Sequence, residues 1–380
     1  MDPPVELPLT TVDLVNGAAR LDGITFDARC FARALSDLGI RVRWYQCWDP
    51  TQELPDFPAM EVVRGTSMRP VRLGMGINRL LVFPRRLRHL SPEWLFVSDP
   101  TLLDVARAMD RTIVRLHDLR PLGPWADSWL TRRMYRHVLP KVRAARAVFV
   151  STNAMGEELI PLGVDPSRIH LVSETHDQGS HPEHLSESVK RREEGGRLRA
   201  LYVAADRPFK NIRLYLRLAH ALRRRPAGSR FDFTLVTRAN DSACRRILND
   251  AGPDVEVLTN VPALGEIYRS HDVLVYPSLY EGFGRPLIEA MAHGLPLVLS
   301  NSPTLTEVVG DAGVRLSPDD PNAWVSALEN LLEPSVFLDW SRRSLKRGEM
   351  YSVNRFTESV HRAFSRLASE PPTRNPGAPG

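Results

Sequence analysis

Residues 273–289 read VLVYPSLYEGFGRPLIE, and the order of side chains in this stretch decides the fold. Val273–Tyr276 is a run of β-branched and aromatic residues with no polar alternation, the pattern of a strand covered on both faces. Gly282 and Gly284 interrupt it, and Pro286 suits the first turn of a helix that continues as LIEAMA. Strand, glycine-bearing loop and proline-led helix together make half of a βαβ unit. Working outward, candidate strands lie at 199–204, 233–237, 255–259, 296–300 and 313–316, with helical patterns at 211–224, 241–250, 263–270, 286–293 and 321–332. The first half repeats the alternation, with strands at 10–15, 42–47, 94–98, 112–116, 147–151 and 169–173 and helices at 24–38, 76–90, 128–145 and 153–160. Such alternation predicts parallel sheets with helices on both faces. The fold class expected is therefore α/β, two tandem Rossmann-like doubly wound domains with a cleft between them. The polar, strand-free stretch 174–197 reads as the connection. It sets a first domain at 1–185, a linker at 186–197, a second domain at 198–350 and, beyond the helical pattern 353–368, a disordered tail at 370–380.

Length and composition agree. The chain has 380 residues, 43% apolar and 25% charged, an ordinary globular balance that excludes collagen, wholesale disorder and disulfide scaffolds. No run reaches the ~18 apolar residues of a membrane span. MDPPVELPLT lacks the basic and apolar regions of a secretory signal. Cys30, Cys47 and Cys244 are scattered and never in CxxC spacing, which suggests neither a disulfide framework nor a zinc site; a reducing cytoplasm is the expected location. The net charge is +5, but residues 61–150 hold 17 Arg and Lys against 7 Asp and Glu. A basic first half fits a nucleotide diphosphate or a membrane surface as well as a merely solvated face. Nucleic acid fits less well, because no aromatic residues interleave the basic ones.

In doubly wound sheets, ligands sit beyond the carboxyl ends of the strands, so the informative positions are strand-to-helix loops. Four stand out. Glu281-Gly282-Phe283-Gly284-Arg285-Pro286 leads into a helix whose first turn holds Glu289. Its glycines admit close backbone approach, its helix N-terminus attracts anions, and two carboxylates can accept from sugar or ribose hydroxyls. Asp206-Arg207-Pro208-Phe209-Lys210-Asn211 follows the first strand of the second domain and offers two cations for a diphosphate. His117-Asp118 closes the strand TIVRL, with Asp118 placed either for a ligand or as a cap. Asp22-Gly23-Ile24-Thr25 opens the first long helix.

Residues 265–320, with PSLYEGFGRPLIEAMAHGLPLVLSN and the following TEVVGDAG, closely resemble the C-terminal half of GT-B glycosyltransferases of the retaining family 4; the rest of the chain resembles them more weakly. The resemblance implies that Glu281 lies by the donor sugar and Glu289 binds the ribose, with the amides about Gly282, Phe283 and Gly284 near the sugar and diphosphate. It assigns Arg207 and Lys210 to the diphosphate, Lys210-Asn211 matching the family well and Arg207 more loosely. His117 inherits a place beside the reacting sugar, and Gly23 a place near the donor phosphates. Asp22 and Thr25 replace family glycines there and either contact a polar acceptor or mark a loop that has drifted without consequence; Asp118 is assigned to the acceptor. The last helix, 351–369, is expected to cross back to the first domain.

No Asp-x-Asp pair occurs, so a metal-independent, retaining transfer from a nucleoside-diphosphate sugar to an acceptor hydroxyl is expected, with no cofactor. The acceptor expected is a polar small molecule of natural-product biosynthesis. Alternatives are a lipid-linked or cell-surface glycan reached by peripheral contact with the inner face of the membrane, through the basic amphipathic segments 76–90 and 128–146, and a catalytically silent sugar-nucleotide-binding subunit. A phosphorylase-like enzyme is a rival on the same fold. An NAD-dependent enzyme is disfavoured, since no GxGxxG opens either domain.

Overall fold

The alternating pattern closes into two separate sheets, every strand pair of which is parallel. The computed structural model describes residues 10–16, 23–46, 60–64, 85, 93–106, 109–126, 128–176, 188–191, 194, 196–238, 241–259, 261 and 263–369. Asp22, Cys47, almost all of 76–90, part of the linker 186–197 and the tail 370–380 lie outside them. One compact unit takes Met1–Thr175 and Val353–Gly380, the other His176–Ser352.

The first sheet has seven strands, β1 (Thr11–Asn16), β2 (Arg41–Gln46), β3 (Met60–Arg64), β4 (Trp94–Val97), β5 (Thr112–Leu116), β6 (Ala147–Val150) and β7 (Ile169–Leu171), in the order β3-β2-β1-β4-β5-β6-β7. Its two faces follow the two-residue period of a strand. Val12, Leu14, Phe96, Ile113 and Phe149 join Phe31 of helix Gly23–Asp37 and Phe356, Val360 and Phe364 of helix Val353–Ser369. Val15, Val97, Val114, Leu116, Val148 and Val150 point the other way, onto Val142 of helix Trp129–Ala144 and Met155 and Leu159 of helix Asn153–Leu159. The last helix of the chain thus completes a core begun by the first one.

The second sheet has six strands, β8 (Leu198–Ala205), β9 (Phe231–Arg238), β10 (Glu256–Thr259), β11 (Val273–Tyr276), β12 (Leu297–Ser300) and β13 (Gly313–Leu316), in the order β10-β9-β8-β11-β12-β13. In both sheets the strand order reverses beside the first strand, between β1 and β4 and between β8 and β11. That reversal leaves a crevice at the carboxyl edge, because the connections on either side of it leave in opposite directions. The loops after β8 and β11 therefore become neighbours, although some 70 residues separate them in sequence.

Three differences from the expected elements stand out. Strand β3 was not anticipated. Helix Pro303–Val309 (PTLTEVV) was not either, its β-branched residues weakening the helical signal while Pro303 opens it. The polar stretch 174–197, expected to run outside the core, begins with Glu174, Thr175 and His176 all buried. Further on, Ser188 is wholly buried and donates to Asp272, which also pairs with Arg191 and accepts from the Arg199 amide at 2.8 Å. A buried carboxylate gathers donors wherever the chain can supply them.

Candidate active site

At the reversal point of the second sheet, the loop after β8 presents Lys210 and the loop after β11 presents Glu281. The two loops are tied together at Phe209, whose carbonyl accepts from the Leu279 amide at 2.7 Å and from Ser278 Oγ at 3.4 Å. Tyr202, from β8 itself, donates to the Lys210 carbonyl. Asn211 takes the left-handed conformation (φ 51°), the only non-glycine residue among those described to do so. Asparagine tolerates that conformation better than most residues, so it can end the 3-10 turn Pro208–Lys210 and start helix Ile212–Arg223 without a break.

Three donors converge on Oε1 of Glu281: Lys210 Nζ at 2.5 Å, Ser278 Oγ at 2.6 Å and Tyr276 OH at 2.8 Å. Lys210 Nζ also lies 3.3 Å from Tyr276 OH. Burial, with the Glu281 carboxylate second, pushes the Tyr276 phenol well above its ordinary value, so it remains a proton donor. Glu281 is thereby fixed through one oxygen, while Oε2 keeps its acceptor capacity for a ligand hydroxyl.

Gly284 has φ 99°, and a Cβ there would approach side-chain carbons of Leu287 and Leu305 to 3.1 Å. Only glycine lets the chain turn from loop to helix Arg285–Ala292 at this point. The Phe283 ring packs into the core against Tyr351, centroids 5.6 Å apart, so only its backbone and that of Gly282 can face a ligand. On the helix, Glu289 accepts from Tyr268 OH at 2.8 Å and from Arg285 at 3.1 Å. Arg207 is exposed in its loop, while Asp206 pairs with Arg246 at 2.7 Å.

In the first unit, His117 follows β5 and stands 3.9 Å from two carboxylates, Nε2 from Asp27 and Nδ1 from Glu174. Both distances are ionic contacts, too long for hydrogen bonds. Asp27 is held by Arg115 at 2.9 and 3.1 Å, a pair withdrawn from solvent on both sides. Burial is the largest influence on His117 and pushes it down, but Glu174 and Asp27 together outweigh burial and Arg115, leaving it raised above its ordinary value.

Thr25, expected at an acceptor, is buried and takes the Asn16 side-chain amide at 3.2 Å. The same amide donates to Gln46 at 3.2 Å, and Ser98 donates to Asn16 Oδ1 at 2.8 Å. These side chains tie the carboxyl ends of β1, β2 and β4 to the helix that Gly23 opens. Asp118 accepts from the Arg120 amide at 3.2 Å, just ahead of the turn Arg120–Leu122, whose cap position is Leu119. Tyr276, Ser278, Tyr268, Asp27 and Glu174 were not singled out in the sequence. Among the described residues, no three His, Cys, Asp or Glu side chains are grouped to hold a metal ion, and no helix is long and apolar enough to cross a membrane.

Residues 22–177 match the family model described as Glycosyltransferase Family 4, and residues 197–334 match the one described as Glycosyl transferases group 1. Over 178 residues the chain is 33% identical to O-antigen chain mannosyltransferase B of Escherichia coli, covering 44% of this chain and 46% of that one. Over 264 residues it is 30% identical to an MMP alpha-(1->4)-mannosyltransferase of Mycolicibacterium hassiacum, covering 64% and 62%. The matches thus span about half to three fifths of these curated relatives. Among solved structures, Anabaena HepE in complex with UDP and glucose superposes with a TM-score of 0.73 at 14% identity, covering 93% of this chain and 99% of that one. That likeness is one of fold.

Proposed function

The chain belongs to the family 4, group 1 glycosyltransferases of the GT-B fold, and on that premise we propose that it moves a sugar from a nucleoside-diphosphate sugar to an acceptor hydroxyl, with retention at the anomeric carbon and without a metal. The observation that carries this is the Lys210–Glu281 contact at the reversal point of the second sheet, next to a helix N-terminus opened by Gly284. Lys210 supplies positive charge where a diphosphate would leave, and the amides at the start of helix Arg285–Ala292 add to it. Arg207 is assigned to the same phosphates. Glu281 Oε2 accepts from a sugar hydroxyl and Glu289 from the ribose. A nucleoside diphosphate leaves readily, so alignment and charge stabilisation supply the acceleration, and no strong general acid is needed. His117 contributes at the reacting sugar. Gly23 is assigned to the donor phosphates, and Asp22 and Asp118 to the acceptor.

Three relatives are mannosyltransferases by name, two of them O-antigen chain mannosyltransferases. They favour a mannosyl donor and a growing polysaccharide over a small natural product as acceptor. Exposure of Trp129 (75%) and Leu130 (53%) at the start of helix Trp129–Ala144, beside exposed Arg133 and Arg136, favours work at an anionic lipid surface on the cytoplasmic side. The test is a thermal-shift screen of GDP-mannose, UDP-glucose and dTDP-glucose with the wild-type chain, Glu289→Ala and Lys210→Met. A donor bound at 100 times its Kd stabilises the fold by about 2.7 kcal/mol. Both variants should lose most of that response, and Lys210→Met should lose about 10²–10³ in donor turnover. Full turnover in Lys210→Met removes this reading, and donor binding without any hydrolysis or transfer favours the silent subunit.

A further inference from the structure

We propose that Tyr276 and Ser278 are positioning residues that keep Glu281 in place while Lys210 leaves it for the diphosphate of the donor. That role rests on the proposed reading of the site, in which Lys210 meets the phosphates and Glu281 the sugar. It follows from a count of donors. Lys210 Nζ at 2.5 Å, Ser278 Oγ at 2.6 Å and Tyr276 OH at 2.8 Å all donate to Oε1 of Glu281. A carboxylate oxygen has two lone pairs, so one of the three donors is surplus. Burial shows which one. Tyr276 and Ser278 are wholly buried, whereas Lys210 and Glu281 keep 16% and 10% of their side chains exposed. The hydroxyls therefore reach Glu281 from the core, where no ligand can follow, and the ammonium is the donor that solvent also reaches.

The two hydroxyls are also the donors least able to move. The Tyr276 ring stands edge-on to Tyr202, centroids 5.6 Å apart at 89°. Ser278 sits in the stretch that is tied to the Phe209 carbonyl by its own hydroxyl and by the Leu279 amide. Lys210 carries its ammonium on a flexible stem and can swing it to a second anion. A diphosphate holds more negative charge than one carboxylate and draws that ammonium away. Were Lys210 the sole donor, its departure would strip a mostly buried carboxylate of compensation, at the expense of donor affinity. With both lone pairs of Oε1 filled by Tyr276 and Ser278, the exchange costs little, and Oε2 stays available to a sugar hydroxyl. Burial, and after it the Glu281 charge, hold the Tyr276 phenol well above its ordinary value, so it donates throughout. Neither hydroxyl meets the phosphates, so deleting one is felt there only through Lys210.

The experiment is isothermal titration calorimetry of the full chain with GDP, UDP and dTDP. Tyr276→Phe keeps the ring and deletes the hydroxyl, so Glu281 holds Lys210 more tightly. Affinity for the preferred diphosphate should fall about three- to tenfold. Ser278→Ala should act likewise, and serves where the Phe variant does not fold. In a Glu281→Gln background no carboxylate competes for Lys210, and the same hydroxyl deletion should then change diphosphate affinity by less than about twofold. A merely structural loss would carry through into that background. Wild-type affinity in either hydroxyl variant, or a fall that persists beside Glu281→Gln, overturns the proposal. Lys210→Met tells this failure from failure of the underlying reading. No binding of any of the three diphosphates to the wild type, or unchanged binding in Lys210→Met, removes the reading and the proposal together. A loss in Lys210→Met with none in Tyr276→Phe removes the proposal alone.

Discussion

Gly284 shows how much one residue carries at the candidate site. Its positive φ and the 3.1 Å approach of Leu287 and Leu305 to any added Cβ leave no side chain a comfortable place. Gly284→Ala should cost about 1–3 kcal/mol, combining left-handed backbone strain with local overpacking. It should also blunt the response to a donor, because the helix N-terminus must shift to relieve the contact. Chemical denaturation and the thermal-shift screen read the two effects separately; unchanged stability would show that the loop relaxes without strain. The glycines, Lys210 and Glu281 were legible in sequence because each sits in a loop between a strand pattern and a helix pattern, and Glu289 because it lies on the helix that one such loop opens. Their partners were not. Tyr276 and Ser278 lie within five residues of Glu281, yet nothing local says that their hydroxyls converge on the same oxygen as a lysine from the loop after β8. Asp27 looks like one more polar residue of a helix, and Glu174 like the start of a linker. Each became a partner of His117 only when strand order brought their ends together.

Elements were read best where the period of apolar residues was strong. Helix Ile212–Arg223 buries Ile212, Leu214, Tyr215, Leu218, Ala219 and Leu222, a stripe that repeats every three to four residues. The seven-residue helix Pro303–Val309 is too short to show such a stripe. Helix Trp129–Ala144 illustrates a different limit, because its two ends do different things. Val138 and Val142 are buried, and Lys141 pairs with Asp104 at 2.8 Å, whereas Trp129 and Leu130 stand in solvent. Periodicity alone could not tell this from a wholly packed helix. If the exposed end meets lipid, Trp129 should blue-shift in fluorescence with vesicles containing anionic phospholipid and not with neutral ones. Trp129→Ala should weaken vesicle binding about tenfold or more, since burying a large apolar side chain contributes roughly 1.5–3 kcal/mol. Equal binding to neutral and anionic vesicles, or none to either, would leave this end of the helix without a membrane function.

At the scale of the whole molecule, the two units carry histidines perturbed in opposite directions, which makes their stabilities respond to pH with opposite sign. His117, in the unit formed by Met1–Thr175 and Val353–Gly380, is raised above the ordinary 6.5. The native state of that unit therefore holds its proton more tightly than the unfolded chain. Its contribution is fully present below pH 6.5 and is lost as pH rises through the raised native value. His271, in the unit His176–Ser352, is lowered below 6.5, chiefly by burial, although the Ile267 carbonyl 2.6 Å from Nδ1 pulls the other way. Here the unfolded chain binds the proton more readily, so the contribution is present above pH 6.5 and is lost as pH falls through the lowered native value. Acidification should accordingly weaken the second unit, and alkalinisation the first. Tm measured between pH 5 and 9 for the wild type, His117→Asn and His271→Asn isolates each term as a difference between curves. The His271 variant should narrow its gap to the wild type on the acid side, and the His117 variant on the alkaline side. Hydrogen exchange at the two pH extremes should place the loosened amides in the second and the first unit respectively. Gaps that do not vary with pH would mean that neither ring changes its proton affinity on folding.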